Sequence, residues 1–574
     1  RRFYLWRDQS NQPTASFWHY LRSDDGLTQI QHVILGVMLA ALVSMAVFRL
    51  AQPYAFADRQ IATGNYLAEN GTEPSFLYTA LYSMIGFNPQ WLGNMEEIQR
   101  LQAPEANFPP AIQWTDRPAI LFPLSNMLLY GMGLLAGIAA WAGFMWALWR
   151  IVRGKPDWLI HALPVAWVGL YFLFAATRWV KSVRYFLPIY PILFILAGWL
   201  FLELWRRTDK QKAGRVLVGV ALAATLLSSL LWANAFTEIY RQPMTRVAAS
   251  EWMYENIPTA VSLLYQTNDG TAQEIQLPLW GGDIVPGLPL TAPFTLPEDG
   301  TVTGVRFNYL SSVDGLPNNA TLRVGLDAPF DNGATVQGQI PLTLDDRRTT
   351  AEISLPPTPL QADIQHSLIA DLGAGGGIRA GTSIITSEHW DDALPSRLHG
   401  RDPYSQFFRG LSDGQMTTTH PDSFEKREQL LAWLTEADFV VLSSQRSLWQ
   451  LPRIPMTYPL MVRYYDALFS GELGFEKVAE FHGDINIGPL YISDTGGKIG
   501  WGETPEIGWP PPPEWAAEEA FSVYDHPPVW IFRKTDAYTP AVGQEILGNI
   551  DLSQQITMNP QQATEAPNGL LLTE

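Results

Sequence analysis

Five apolar runs in the first part of the chain limit its possible folds more than any other feature: Val33–Leu50, Ala119–Trp149, Leu159–Thr177, Leu187–Trp205 and Val216–Phe236. Runs of about 18 or more residues with few charges are long enough to cross a bilayer core as helices. The second is long enough to include an interfacial turn. Trp149, Trp158, Trp179, Tyr190, Trp205 and Trp232 stand near the ends, where amphipathic rings settle among lipid headgroups. Residues 1–241 therefore read as a transmembrane domain of about five helices, with one long loop at 53–117.

Lys and Arg set the orientation, because cytoplasmic loops carry the excess. Arg1, Arg2, Arg7 and Arg22 precede the first run, Arg150, Arg153 and Lys155 follow the second, and Arg206, Arg207, Lys210, Lys212 and Arg215 separate the fourth from the fifth. If every run crosses, all three clusters share one side. The reading is a multi-pass protein of the cell (plasma) membrane with a cytoplasmic N-terminus and a large extracytoplasmic C-terminal domain. The chain opens on Arg1 without a signal-peptide pattern, and we expect it to begin partway along a longer polypeptide.

Charge divides the chain in the same way. Up to Arg241 there are 20 Lys and Arg against 14 Asp and Glu; beyond it, 18 against 42. So acidic a second half is a poor partner for nucleic acid. Cysteine is absent, which excludes disulfides, thiolate metal sites and a cysteine nucleophile.

Against the positive-inside pattern, the short loop after the third run carries Arg178, Lys181 and Arg184 on the outer side. Read as helix, their spacing puts all three on one face. Three cations at that boundary suggest an anionic group, and a lipid phosphate fits; outer headgroups or acids of the soluble domain would serve equally. In the long loop, Asn88–Leu101 reads as an amphipathic helix lying on the membrane, with Trp91, Leu92, Met95, Ile98 and Leu101 on one face. Asp58, Glu73 and Asp116 are its candidate general bases, against the plainer reading of solvated charge.

Past the last run, residues 242–268 and 384–548 alternate helix and apolar strand, which predicts an α/β layer structure. Helices are expected at Thr245–Asn256 (Val247, Ala248 and Trp252 inward), Glu425–Thr435 and Tyr464–Ser470. Strands are expected at Ala260–Tyr265, Asp438–Ser444, Phe475–Phe481 and Leu490–Ser493. Residues 269–383 change character: short alternating runs such as Thr303–Tyr309, Ala320–Leu326 and Thr350–Leu355 are separated by Gly, Pro, Asn and Asp. They predict an inserted antiparallel β-sandwich or jelly roll. Trp390, Asp391 and Asp392 suit sugar binding, the ring stacking on a sugar face while the carboxylates take hydroxyls; a capping turn is the alternative. Glu388, His389, Asp391, Asp392 and His399 lack any zinc-ligand spacing, so no metal site is expected. Trp509–Pro513 reads as a surface loop, and 549–574 as a loosely held tail.

Five stretches together carry a resemblance: Asn88–Leu92, Trp179–Pro191, Thr245–Pro258, Trp390–Pro395 and Ala520–Pro527. They resemble the C-terminal half of the large family 39-like glycosyltransferases of Chloroflexi-type bacteria. These belong to the GT-C class, relatives of protein O-mannosyltransferases and of the aminoarabinose transferase of lipid A. The resemblance implies a membrane enzyme that moves a sugar from a polyprenyl-phosphate carrier to an extracytoplasmic glycan or protein acceptor. No further cofactor is implied, because the lipid-linked donor is a substrate. The class keeps its key acidic residues in a first outer loop of a longer helix set. The loop holding Asp58 and Glu73 resembles a later one, so no residue here inherits the catalytic role. Arg178, Lys181 and Arg184 fall in the part of the class expected near the carrier phosphate. A non-catalytic accessory subunit of a membrane complex is the competing expectation.

Overall fold

The computed structural model describes residues 17–279, 281–327, 337–388, 394 and 418–566. It divides into two compact units, one holding the chain up to Ala106 with Phe144–Leu170, the other Asn107–Gly143 with the chain from Tyr171 onward. Among the described residues five helical segments are long and apolar enough to cross a membrane: Asp24–Ala51, Leu134–Val152, Trp158–Ala176, Val183–Arg207 and Lys212–Asn256.

In the first unit, helix α1 (Asp24–Ala51) starts at Ser23, whose side chain accepts from Gly26 N, with Asp24 and Asp25 in the first turn. An N-cap and two acids there satisfy free amides and complement the helix dipole. Three shorter helices follow: α2 (Arg59–Asn70), α3 (Phe76–Ile85) and α4 (Pro89–Leu101). The turn between α1 and α2 is held by rings, Phe56 stacking on Phe87 at 5.4 Å and Phe87 on Trp91 at 5.6 Å. Helix α4 occupies the predicted amphipathic stretch and buries none of its residues; Leu92, Ile98 and Leu101 are exposed.

The long helices continue as α5 (Leu134–Val152), α6 (Trp158–Ala176), α7 (Tyr190–Arg207) and α8 (Lys212–Glu238). The run Ala119–Trp149 is not one helix. A short helix at Leu121–Asn126 passes into a wide turn at Met127–Gly131 before α5 begins. Two glycines impose the break: Gly133 is left-handed (φ 77°), and a Cβ on Gly131 would collide with the Tyr190 hydroxyl. The loop after α6 also departs from expectation. Residues 177–182 are turn and coil, and Val183–Ile189 is a 3₁₀ segment. Arg178, Lys181 and Arg184 therefore do not share a helical face.

Helix α9 (Thr245–Asn256) leads into the sheet-rich part. Its fully buried positions include Ala249 and Met253, with Trp252 partly buried against the same core as predicted; Val247 and Ala248 are only partly buried. Strands β1 (Val261–Thr267), β2 (Ala272–Gln276), β3 (Gly282–Ile284), β4 (Leu290–Phe294), β5 (Gly300–Ser312), β6 (Asn318–Leu326), β7 (Gly338–Leu344), β8 (Thr349–Leu360), β9 (His366–Gly375) and β10 (Ile378–Gly381) follow. They form a six-stranded sheet, β2-β1-β5-β10-β3 with β8 also on β5, and a four-stranded sheet, β4-β9-β6-β7. Every pairing is antiparallel. Both sheets contribute to one core, including Val305 and Phe307 from one and Leu322 and Val324 from the other. The predicted boundary moves: β1, expected in the α/β layer, pairs with β5 through Val261–Phe307, because its alternating buried face completes this core. The ends of the region meet, Ser383 donating from N (3.3 Å) and Oγ (2.6 Å) to the Pro258 carbonyl.

The rest comprises β11 (Ile385–Glu388), α10 (Phe424–Glu436), β12 (Phe439–Leu442), α11 (Arg446–Gln450), α12 (Pro459–Phe469), β13 (Phe475–Phe481), β14 (Ile485–Ile487), β15 (Leu490–Ser493), β16 (Lys498–Trp501), β17 (Val529–Lys534), α13 (Pro540–Leu547) and α14 (Pro560–Glu565). A mixed sheet runs β11-β12-β17-β13, with β11 parallel to β12. Strand alternation serves two layers. Phe439, Val441, Val529 and Ile531 pack with Ala249 and Met253 of α9. Val440, Leu442, Trp530 and Phe532 pack with Leu434, Tyr464 and Leu468 of α10 and α12. Strands β14, β15 and β16 make a separate small sheet. The tail is not loose up to residue 566: Leu552 and Ala563 enter the α10–α12 core, Thr457 Oγ1 donates to the Ile556 carbonyl (2.8 Å), and Met558 N donates to Thr457 Oγ1 (2.9 Å).

Candidate functional site

Three stretches far apart in sequence meet in the second unit: the turn 113–126 ahead of α5, the loop 181–184 ahead of α7, and the segment 514–519 ahead of β17. The meeting is built on hydrogen bonds. Glu518 N donates to Asn126 Oδ1 (2.9 Å) and Glu519 N to Gln113 Oε1 (3.3 Å). Glu518 Oε1 accepts from Ser182 Oγ (2.8 Å) and Val183 N (2.9 Å). Its other oxygen, Oε2, has no partner among the described residues, although the residue is only 3% exposed. Burial holds the Glu518 carboxyl above the usual range, opposed by Ser182, Val183 and Arg184.

The three stretches and their neighbours carry several cations. Glu514 pairs with Arg117 through one oxygen and with Arg453 through the other (2.8 Å). Arg453 also donates to the Thr115 carbonyl (3.0 Å), and the Arg117 guanidinium lies 4.3 Å from the Phe122 ring. Buried Glu519 pairs with Arg446 at 3.0 Å. Lys181 is 6% exposed, and Nζ donates to the Trp179 carbonyl (3.0 Å). Burial, with Arg117 nearby, pulls the Lys181 amine down to about 8; burial, with Arg453 nearby, pulls Arg117 down to about 9. With Glu514 engaged by two arginines and Glu518 drawn toward its neutral form, positive charge is in excess.

The predicted cations thus separate into one buried and two exposed. Arg178 lies over the Phe174 ring at 5.0 Å and Arg184 over the Tyr185 ring at 5.4 Å. Among the described residues none of the three forms an ion pair with a carboxylate. The candidate bases do not gather. Asp58 caps α2, accepting from Ile61 N at 2.7 Å. Glu73 is exposed in the first unit, and Asp116 is exposed in the second, in a left-handed turn (φ 57°). Trp390, Asp391 and Asp392 lie outside the described residues, as do His389 and His399. Among the described residues no group of three or more His, Asp or Glu is arranged to hold a metal ion.

The sequence reading passed over Glu514 and Glu518. The only local signal is a cluster of carboxylates, Glu514, Glu518 and Glu519, between the proline run and an apolar stretch.

An apolar groove of about 750 Å³ adjoins the site. Tyr130 and Trp515 line it and are joined by a hydrogen bond from Tyr130 Oη to the Trp515 carbonyl (2.6 Å), which ties the groove to the segment carrying Glu518. No family model, curated protein or solved structure matches the chain.

Proposed function

We propose that the chain is a membrane glycosyltransferase, or the C-terminal part of one, transferring a sugar from a polyprenyl-phosphate carrier to an acceptor outside the plasma membrane. The observation that carries this reading is Lys181, a buried amine beside Arg117 and without a carboxylate partner among the described residues. Such an arrangement is unfavourable by itself and becomes favourable when an anion arrives. A sugar-phosphate leaving group develops negative charge, which fixed cations stabilise best where water is scarce. Exposed Arg184 and Arg178 extend the positive region, and Arg can hold a phosphate bidentately. Glu518 supplies a buried carboxyl with one oxygen that has no partner among the described residues, and in its neutral form it is suited to donate a hydrogen bond that orients a substrate oxygen. We read the two-sheet region β1–β10 as a sandwich of jelly-roll type that holds the acceptor glycan, with Trp390, Asp391 and Asp392 as sugar contacts. The exposed settings of Asp58, Glu73 and Asp116 favour a second reading, an accessory subunit that binds the carrier without turning it over.

The test uses the full chain in nanodiscs with a polyprenyl-phosphate sugar. Lys181→Gln and Arg184→Gln should each weaken carrier binding by about ten- to a hundredfold, the loss of one charge-assisted contact of about 1.5–3 kcal/mol. Unchanged binding in both variants overturns the phosphate role. Binding of the carrier without transfer supports the accessory reading instead.

A further inference from the structure

The small sheet β14-β15-β16 has two unlike faces. Its register aligns Ile485, Ile492 and Ile499 in one row and Ile487, Leu490 and Trp501 in the next. By strand alternation these six large apolar residues share one face. The opposite face carries Asn486, Tyr491, Ser493 and Lys498, with the Tyr491 ring lying across Gly500. Burial falls steadily across the apolar face: Ile485 is 0% exposed, Ile499 60% and Trp501 73%. A soluble protein seldom leaves such a row open to water.

The sheet's neighbour explains the row. Ile487, Leu490, Ile492 and Ile499 form one wall of the apolar groove, and Leu227, Leu231 and Trp232 of α8 form another. These α8 residues belong to a segment long and apolar enough to cross a membrane, and Leu227 is 57% exposed. None of the groove's lining side chains carries a charge. The apolar face of the sheet is therefore continuous with a surface whose natural solvent is hydrocarbon.

We propose that the apolar face of β14–β16 is seated in the adjacent leaflet, so that bilayer hydrocarbon covers Ile499 and Trp501 and enters the groove beside α8. Trp501 then sits where tryptophan is favoured, at the boundary between chains and headgroups. Lys498 on the opposite face stays in water. The sheet-rich part thus has a second hold on the membrane besides its covalent tether. This inference rests on the spanning character of α8 and not on the transferase reading.

The chain contains no cysteine, so single-cysteine variants label cleanly. Ile499→Cys, Trp501→Cys and, as a control, Lys498→Cys are reconstituted in phospholipid vesicles and given a nitroxide label. Collisions with oxygen, which concentrates in hydrocarbon, are compared with those of a water-soluble nickel chelate. Labels at 499 and 501 should favour oxygen severalfold over the label at 498. Chelate access at 499 and 501 matching that at 498 overturns the proposal. Shielding of both positions from both reagents, the mark of a protein cover such as a second copy, overturns it as well. No turnover is measured, so the result stands apart from any assay of sugar transfer.

Discussion

A lysine buried with one described hydrogen bond and an arginine nearby disfavours its own charged form, and the sign of its effect on stability follows. The unfolded chain holds this proton up to the ordinary lysine value, whereas the folded chain releases it near 8. The penalty on folding is fully present below about pH 8 and fades as pH rises toward the ordinary value. Lys181→Met should therefore stabilise the protein at pH 7 by about 1–3 kcal/mol, seen as a higher unfolding temperature in detergent, while removing the amine needed for an anion. A lower unfolding temperature would show that the amine has a partner in the free protein. His526 behaves oppositely. Burial depresses it, but Asp494 (2.6 Å) and Asp525 (2.6 Å) outweigh burial and push it up to about 10. Its contribution is complete below the ordinary histidine range and is lost as pH climbs through about 10. The unfolding free energy should accordingly drop by on the order of 1 kcal/mol per pH unit across that window, a dependence that denaturant titration reads and His526→Gln should flatten. Of the charged residues gathered here the sequence marks out Lys181 but not Arg117, Arg453 or Glu518, and nothing within a helical turn of Glu518 explains its burial. Its partners Ser182 and Val183 lie more than three hundred residues upstream.

Elements were legible where periodicity and punctuation agreed. Strands β13 and β15 begin and end at the predicted residues: β15 is a short apolar run between Pro489 and Asp494, and β13 starts directly after Gly474. Helix α9 has the predicted limits but centres its buried face on Ala249 and Met253, with Trp252 at its edge, which depends on a sheet assembled from strands far away in sequence. In the loop after α6 the basic spacing predicts one helical face for Arg178, Lys181 and Arg184, but Pro188 and the hold of Glu518 on Ser182 and Val183 favour coil and a 3₁₀ turn. The 514–519 segment acts as an element despite having little regular structure. Glu514 bridges Arg117 and Arg453, so Glu514→Gln should leave two largely buried guanidinium groups short of countercharge. A loss of about 1–2 kcal/mol is expected in thermal unfolding, with Glu514→Ala losing at least as much. No loss in either variant would mean that solvent already screens the bridge.

For the molecule as a whole, the two-sheet region enters and leaves the chain at hydrogen-bonded neighbours, Pro258 and Ser383. Removing residues 259–382 and joining the ends through a short flexible linker should leave β11-β12-β17-β13 and its helices folded. The expected thermal midpoint lies within a few degrees of the parent, because this sheet's core residues come from outside the deleted span. Unfolding of the remainder would show that the contact of Arg348 with Asp438 (2.8 Å) and its neighbours is indispensable. The start of the region was placed too late from sequence because β1 reads equally well as an α/β strand; only its pairing with β5 decides.

The bond from Glu518 to Asn126 spans 392 positions, and that distance has a meaning in time. Chains emerge from the ribosome N-terminal end first, at a few to some twenty residues per second. The turn at 113–126 and the loop at 181–184 are thus in place for tens of seconds before their closing segment is made. Over that interval Arg117 and Lys181 face a gap with no Glu514 to answer them, and Arg453 joins them only near its end. Premature termination near residue 510 would leave the gap open for good. A cell could read it as the mark of an unfinished protein, long before any missing activity came to light.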